Sequence, residues 1–87
     1  MEVKIIKDEK NELELEVNHQ TIVEILRVYL KNDSSVEFVA WKREHPTKGH
    51  ILKIKTKGKT AKKALQDAVS AIEKDTGKYL GEFKKAK

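Results

Sequence analysis

The sequence contains no cysteine, one proline, four glycines and one methionine, and only 6% of its residues are aromatic. Without cysteine the chain can form neither a disulfide framework nor a zinc–thiolate site. Its apolar runs fall well short of the roughly 18 residues that a membrane-spanning helix needs, and its first residues do not read as a secretory signal. We therefore expect a cytoplasmic protein with no membrane segment.

Motifs that carry catalysis or cofactor binding are also missing from the sequence. There is no glycine-rich phosphate-binding loop, and the three histidines (His19, His45 and His50) lack the helical spacing of a zinc protease. No nucleophile, base or metal ligands stand together in a recognisable pattern. We expect no catalytic, cofactor-binding or metal-binding residues.

Charge is abundant and unevenly distributed. Charged residues make up 38% of the chain and the net charge is +5, yet residues 1–44 hold seven basic and ten acidic residues, and residues 45–87 hold twelve and four. A basic half suggests contact with a polyanion, although charge runs most often keep a surface soluble. A small basic nucleic-acid-binding protein of the chromatin type therefore stays open as an alternative, with Trp41 as the aromatic residue that could share a lysine face.

Apolar periodicity predicts six elements. Alternating apolar residues predict four strands, over residues 3–7, 12–17, 36–42 and 51–57. Helical spacing predicts one helix that Thr21 caps, with Glu24 completing a capping box, and a second helix from Thr60 to about residue 85. The order β-β-α-β-β-α without a linker predicts one domain over residues 1–87. Its fold class is α+β, with a four-stranded antiparallel sheet covered on one face by two helices.

Alternation along the strands also predicts which side chains share a face. The second strand places Leu13, Leu15 and Val17 on one side and glutamates on the other. The residues predicted to share a face in the third strand are Val36, Phe38 and Ala40. The residues predicted to point inward from the fourth strand are Leu52, Ile54 and Thr56, and those predicted to point outward are Lys53, Lys55 and Lys57.

Both helices carry more apolar surface than one sheet can cover. The first helix is apolar over about 220° of its circumference, whereas a helix lying on a sheet needs an apolar stripe only somewhat over 100° wide. The second, at about 26 residues, would be roughly 39 Å long and would overhang the sheet, with Tyr79, Leu80 and Phe83 at its far end. The tail could fold back at Gly77 and Gly81, but an excess on both helices favours a partner protein.

An ordered set of segments resembles a known family. It consists of Thr-Ile-Val-Glu-Ile-Leu-Arg at residues 21–27, Asn-Asp at 32–33, Val-Glu-Phe-Val-Ala-Trp-Lys at 36–42 and His-Pro at 45–46. This set is similar to archaeal RNA polymerase subunit L and its eukaryotic counterpart. The chain departs from the family pattern at residues 23–24, where Val-Glu replaces Gly-Asn, and at Gln20, where the family has histidine.

The resemblance implies an RNA polymerase α-like dimerisation fold and a non-catalytic subunit. In that family the protein pairs with the larger D-type subunit of RNA polymerase, and the heterodimer is the platform on which the large polymerase subunits assemble. An isolated chain would then be prone to form a non-physiological homodimer. Carried over by position, the partner interface comprises Ile22, Ile25, Leu26, Tyr29, Leu65, Val69, Ile72, Tyr79 and Phe83. A pterin-dehydratase-like enzyme on a similar fold would need a histidine cluster that this sequence lacks.

Overall fold

A computed structural model describes residues 3–43 and 49–77. The elements in chain order are β1 (Val3–Glu9), β2 (Glu12–Val17), α1 (Gln20–Lys31), β3 (Val36–Lys42), β4 (His50–Thr56) and α2 (Ala61–Thr76). The four strands form one antiparallel sheet in the order β1-β2-β4-β3. Both helices pack on the same face of this sheet, so the predicted two-layer α+β architecture is confirmed.

The core lies between the helices and the inner faces of the two central strands, β2 and β4. These strands bury five large apolar side chains completely, namely Leu13, Leu15, Val17, Leu52 and Ile54. Burying a side chain of this size stabilises the fold by roughly 1.5–3 kcal/mol relative to leaving it exposed. From the helical layer, α2 contributes three alanines (Ala61, Ala64 and Ala68), and these small side chains let its backbone lie close to the sheet.

The first helix begins two residues earlier than the sequence predicts. Its N-cap is His19, whose Nδ1 accepts a hydrogen bond from the backbone N–H of Ile22 at 3.3 Å. The predicted cap at Thr21 is therefore wrong, because an imidazole nitrogen takes the place of the expected hydroxyl. For α2 the predicted cap is confirmed, since the Thr60 hydroxyl accepts from the backbone N–H of Lys63 at 3.1 Å.

The second helix ends earlier than the sequence predicts. Gly77 follows its last residue in the left-handed conformation, with φ of 72°, and its N–H donates to the carbonyl of Glu73 at 2.8 Å. This is a glycine C-cap, so the predicted continuous helix to about residue 85 is wrong. The predicted contacts of Tyr79, Leu80 and Phe83 lie outside the described residues.

A β-bulge changes which side chains of β3 face the core. The pairing of β3 with β4 shifts by one residue between Val36 and Phe38. An extra residue reverses the alternation beyond it. Val39 and Trp41 therefore pack with Val36 against the core, while Phe38 turns to the outer face and is 47% exposed. The prediction that Val36, Phe38 and Ala40 share one face is wrong for this reason.

Hydrogen bonds and ion pairs join the turns at one end of the sheet. The Asp33 carboxylate accepts from the backbone N–H of Ser35 at 2.9 Å and from its hydroxyl at 2.6 Å. The Lys59 ammonium donates to Asp33 and to Asp67, each at 2.7 Å. Lys59 and then Ser35 are the main causes that lower the pKa of Asp33 to about 2. The turn before β3, the turn after β4 and α2 are thereby tied together.

Replacing Asp33 by asparagine tests this network through its pH dependence. Because the pKa of Asp33 is lowered in the folded state, its ionised carboxylate stabilises the fold above about pH 5, and this contribution is lost as the pH falls from about 4 towards 2. We expect D33N to lower the free energy of unfolding at pH 7 by about 1–2 kcal/mol. Urea unfolding should show this difference shrinking towards pH 2. The control D8N removes an ion pair between the more exposed Asp8 and Lys62 at 2.9 Å. It should change the free energy of unfolding little.

Replacing Gly77 by alanine distinguishes a helix that ends at Gly77 from one that continues through it. At a left-handed position alanine is strained, so we expect G77A to lower the free energy of unfolding by about 1 kcal/mol. In an uninterrupted helix the same change would raise it by a similar amount. Thermal unfolding followed by circular dichroism reports the sign, and a stabilised G77A would contradict the C-cap.

Candidate partner-binding surface on the helical layer

One side of α1 carries apolar side chains that the core covers only in part. Ile25 and Tyr29 are half-buried, and Val28 is 52% exposed. Residues three and four positions apart are neighbours on a helix surface, so these three side chains form one continuous strip. We call it the α1 stripe. The opposite side of the helix is fully occupied, because Val23, Leu26 and Leu30 are buried in the core.

Tyr29 joins the α1 stripe to the second helix. Its hydroxyl donates a hydrogen bond to the Asp75 carboxylate at 2.8 Å, near the end of α2. This bond to a carboxylate is the main reason that the pKa of Tyr29 is raised. The polar tip of the ring is therefore satisfied within the chain, and its apolar body stays available beside Ile25 and Val28.

The structure divides the nine predicted interface residues into three groups. Five of them are at most 9% exposed and pack in the chain's own core: Ile22, Leu26, Leu65, Val69 and Ile72. Ile25 and Tyr29 lie together on the α1 stripe, and Tyr79 and Phe83 lie outside the described residues. Sequence reasoning missed Val28, although a helical wheel places it on the same side as Ile25.

The outer face of the sheet carries the predicted lysines, but with a different aromatic residue. Lys53 and Lys55 of β4 point outward as predicted, and Lys55 pairs across the strands with the exposed Phe38. Trp41 packs instead towards the core, where its ring meets the buried His50 edge to face at 4.9 Å between centroids. The prediction that Trp41 shares the lysine face is therefore wrong.

Glutamates of β2 lie directly beside these lysines. The Glu12 carboxylate contacts the ammonium groups of Lys7 at 3.2 Å and of Lys53 at 3.4 Å, and Glu14 stands opposite Lys53 in the ladder. The hydrogen bond from Lys7 is the main cause that lowers the pKa of Glu12. Carboxylates at this distance repel phosphates, so the outer face is a poor site for a nucleic-acid backbone.

Residues 3–43 and 49–77 contain no group of three or more histidine, aspartate or glutamate residues that could hold a metal ion. The same residues include no helix that is long and apolar enough to cross a membrane. His50 is buried, and its Nδ1 has no hydrogen-bond partner among the described residues. No neighbouring group among the described residues indicates a chemical role for that nitrogen.

Proteins similar in sequence to this chain are named as RNA polymerase subunits. DNA-directed RNA polymerase subunit Rpo11 of Sulfurisphaera tokodaii is 36% identical over 88 residues, which cover 97% of this chain and 95% of that protein. The Rpo11 subunit of Sulfolobus acidocaldarius is 36% identical over 89 residues, covering 98% and 99%.

A solved structure shows the same fold. The crystal structure of DNA-directed RNA polymerase subunit L from Thermoplasma acidophilum superposes with a TM-score of 0.70, at 23% identity, over 95% of this chain and 85% of that one. Residues 10–82 match the family model described as the RNA polymerase Rpb3/Rpb11 dimerisation domain. With that match over most of its length, the chain belongs to the RNA polymerase Rpb3/Rpb11 dimerisation domain family.

Proposed function

We propose that this chain is a non-catalytic small subunit of an archaeal DNA-directed RNA polymerase, and that it pairs with the larger D-type subunit through its helical layer. The observation that carries the proposal is the α1 stripe, an apolar strip that the chain's own core covers only in part. The relatives named as polymerase subunits and the family's description as a dimerisation domain support it.

The α1 stripe is the centre of the proposed interface rather than its whole extent. A stable interface buries about 800 Å² on each partner, which is more than three side chains provide. The five buried residues of the predicted set support the stripe from beneath, because they fix both helices on the sheet. Tyr79 and Phe83 stay in the proposed interface on the family resemblance, and they lie outside the described residues.

The proposed role is assembly in the cytoplasm. The heterodimer with the D-type subunit would form early and would present a platform to the large polymerase subunits, which hold the catalytic centre. The chain supplies no reacting group of its own in this role. Its contribution is a rigid surface, and the Tyr29–Asp75 hydrogen bond keeps the two helices in one arrangement when the partner docks.

Introducing a charge into the α1 stripe tests the pairing. We expect the full chain, co-expressed with the D-type subunit of the same organism, to elute as a one-to-one complex in size-exclusion chromatography. Val28→Asp should weaken this complex at least about tenfold, because it buries a charge in an apolar contact. Its own folding should hardly change, since Val28 is half exposed.

Phe38→Asp is the matched control for that experiment. Phe38 is 47% exposed, close to the 52% of Val28, but it lies on the opposite face of the domain. The heterodimer should tolerate this change. Failure of the unmodified chain to bind the D-type subunit would contradict the proposal, as would equal weakening by the two variants.

The isolated chain should self-associate through the same surface. Water-exposed apolar area of this kind favours contact between copies when the natural partner is absent. Sedimentation velocity at micromolar concentration should show a dimer or a larger species, and Val28→Asp should convert it to a monomer. A concentration-independent monomer of the unmodified chain would count against the α1 stripe as a pairing surface.

A further inference from the structure

An exposed carboxylate, that of Asp75, lies at one edge of the α1 stripe. Asp75 stands in the last turn of α2, and its Oδ2 accepts the hydrogen bond from the Tyr29 hydroxyl at 2.8 Å. Since the body of the Tyr29 ring belongs to the α1 stripe, Asp75 marks the edge of the stripe that faces α2. A protein that covers the stripe therefore reaches this carboxylate as well.

Asp75 differs from the other aspartates of the chain in having no cation beside it. The carboxylates of the other three each lie 2.7–2.9 Å from a lysine ammonium, and these residues are Asp8, Asp33 and Asp67. Asp75 forms no ion pair with any residue in the ranges 3–43 and 49–77. The preceding Lys74 does not contact it, because consecutive side chains on a helix point about 100° apart.

The surroundings of Asp75 leave its negative charge uncompensated. The last carbonyl groups of a helix carry a partial negative charge, which repels a carboxylate. The Tyr29 hydroxyl is a neutral donor and bonds only Oδ2, so Oδ1 has no hydrogen-bond partner among the described residues. A protein that covers the α1 stripe removes water from this carboxylate. A carboxylate that loses water without gaining a cation opposes association.

We propose that the D-type subunit places a cationic side chain, lysine or arginine, against Oδ1 of Asp75. This inference rests on the pairing proposed above and specifies the chemistry of the partner at one edge of the α1 stripe. A cationic nitrogen donor supplies the missing hydrogen bond and neutralises the charge. A neutral donor would supply the bond but leave the charge next to the negative end of α2, so a cation fits this position better.

An ion pair at this edge also selects the direction in which the partner lies on the α1 stripe. Burial of apolar side chains is non-directional, so the contacts of Ile25 and Val28 do not by themselves fix one orientation. A cation that must meet Asp75 excludes orientations that bring an apolar or acidic side chain there.

Asp75→Asn in the full chain separates the charge from the hydrogen bond, because asparagine keeps an oxygen that can accept from Tyr29. Binding is measured by surface plasmon resonance on the immobilised D-type subunit of the same organism. We expect the complex to weaken at least about fivefold at about 0.05 M salt, and the loss to shrink at about 0.5 M salt, which screens exposed ion pairs. The matched control Glu37→Gln, which removes an exposed carboxylate from β3, should leave the affinity unchanged.

Two further measurements separate an ion pair from a structural role. Tyr29→Phe removes the hydrogen bond but keeps the charge of Asp75, so the salt dependence of the complex should persist. Asp75→Asn should not lower the free energy of unfolding of the isolated chain, because the charge that it removes lies at the negative end of a helix. A destabilised Asp75→Asn chain would assign Asp75 to the fold and overturn the proposal.

The experiment also separates this inference from the pairing on which it rests. A complex that Val28→Asp weakens and Asp75→Asn leaves unchanged would overturn the cation at Asp75 and leave the pairing intact. A loss of affinity in Asp75→Asn that is equal at the two salt concentrations would overturn it too, because a lost ion pair at an exposed edge responds to salt. If the unmodified chain does not bind the D-type subunit, both proposals are wrong.

Discussion

The single apolar face formed by β2 and β4 is the surface on which everything else in this domain depends. Both helices must pack on its few fully buried side chains, among them Leu13, Leu15 and Leu52. The second helix does so with small residues and ends at Gly77. The first helix covers the remaining area with Val23, Leu26 and Leu30. The core covers the rest of the apolar circumference of α1 only in part, so the α1 stripe stays partly exposed.

The two faces of the domain therefore have different chemistry. The helical side offers a continuous apolar strip, held in place by the Tyr29–Asp75 hydrogen bond, and such a strip suits pairing with another apolar surface. The outer side of the sheet alternates lysines with apolar residues beside a row of glutamates. The bulge at the start of β3 creates this second surface, because it turns Phe38 outward and Trp41 inward.

Strict alternation made the central part of the fold predictable. In β2 and β4 each side chain sits where a period of two places it, and the Thr60 cap follows a common hydroxyl pattern. The bulge between Val36 and Phe38 was not predictable, because an extra residue in a ladder leaves no local signal in Val-Glu-Phe. The His19 cap was missed since Thr21 offers a more usual cap two residues later. Glycine is the usual residue type at a left-handed helix C-cap, so Gly77 could have indicated the end of α2. The apolar repeat beyond it suggested a continuing helix instead.

The apolar excess of α1 was predictable from the sequence, but the side chains that form it were not. A wheel shows that α1 has too much apolar surface, yet only the packing shows that Leu26 is used internally and that Val28 is not. Burial depends on the angle and position at which the helix packs on the sheet, and the sequence of one helix does not determine them. The family resemblance correctly indicated a dimerisation domain.

Cross-saturation transfer in the complex with the D-type subunit tests the pairing through α1 most directly. The chain is deuterated and labelled, the partner is protonated and irradiated, and the loss of signal is read residue by residue. We predict the strongest losses at Ile25, Val28 and Tyr29, and little at Phe38 or Ile51 on the outer face. Strong transfer to the outer face with none along α1 would contradict the pairing proposed for the α1 stripe.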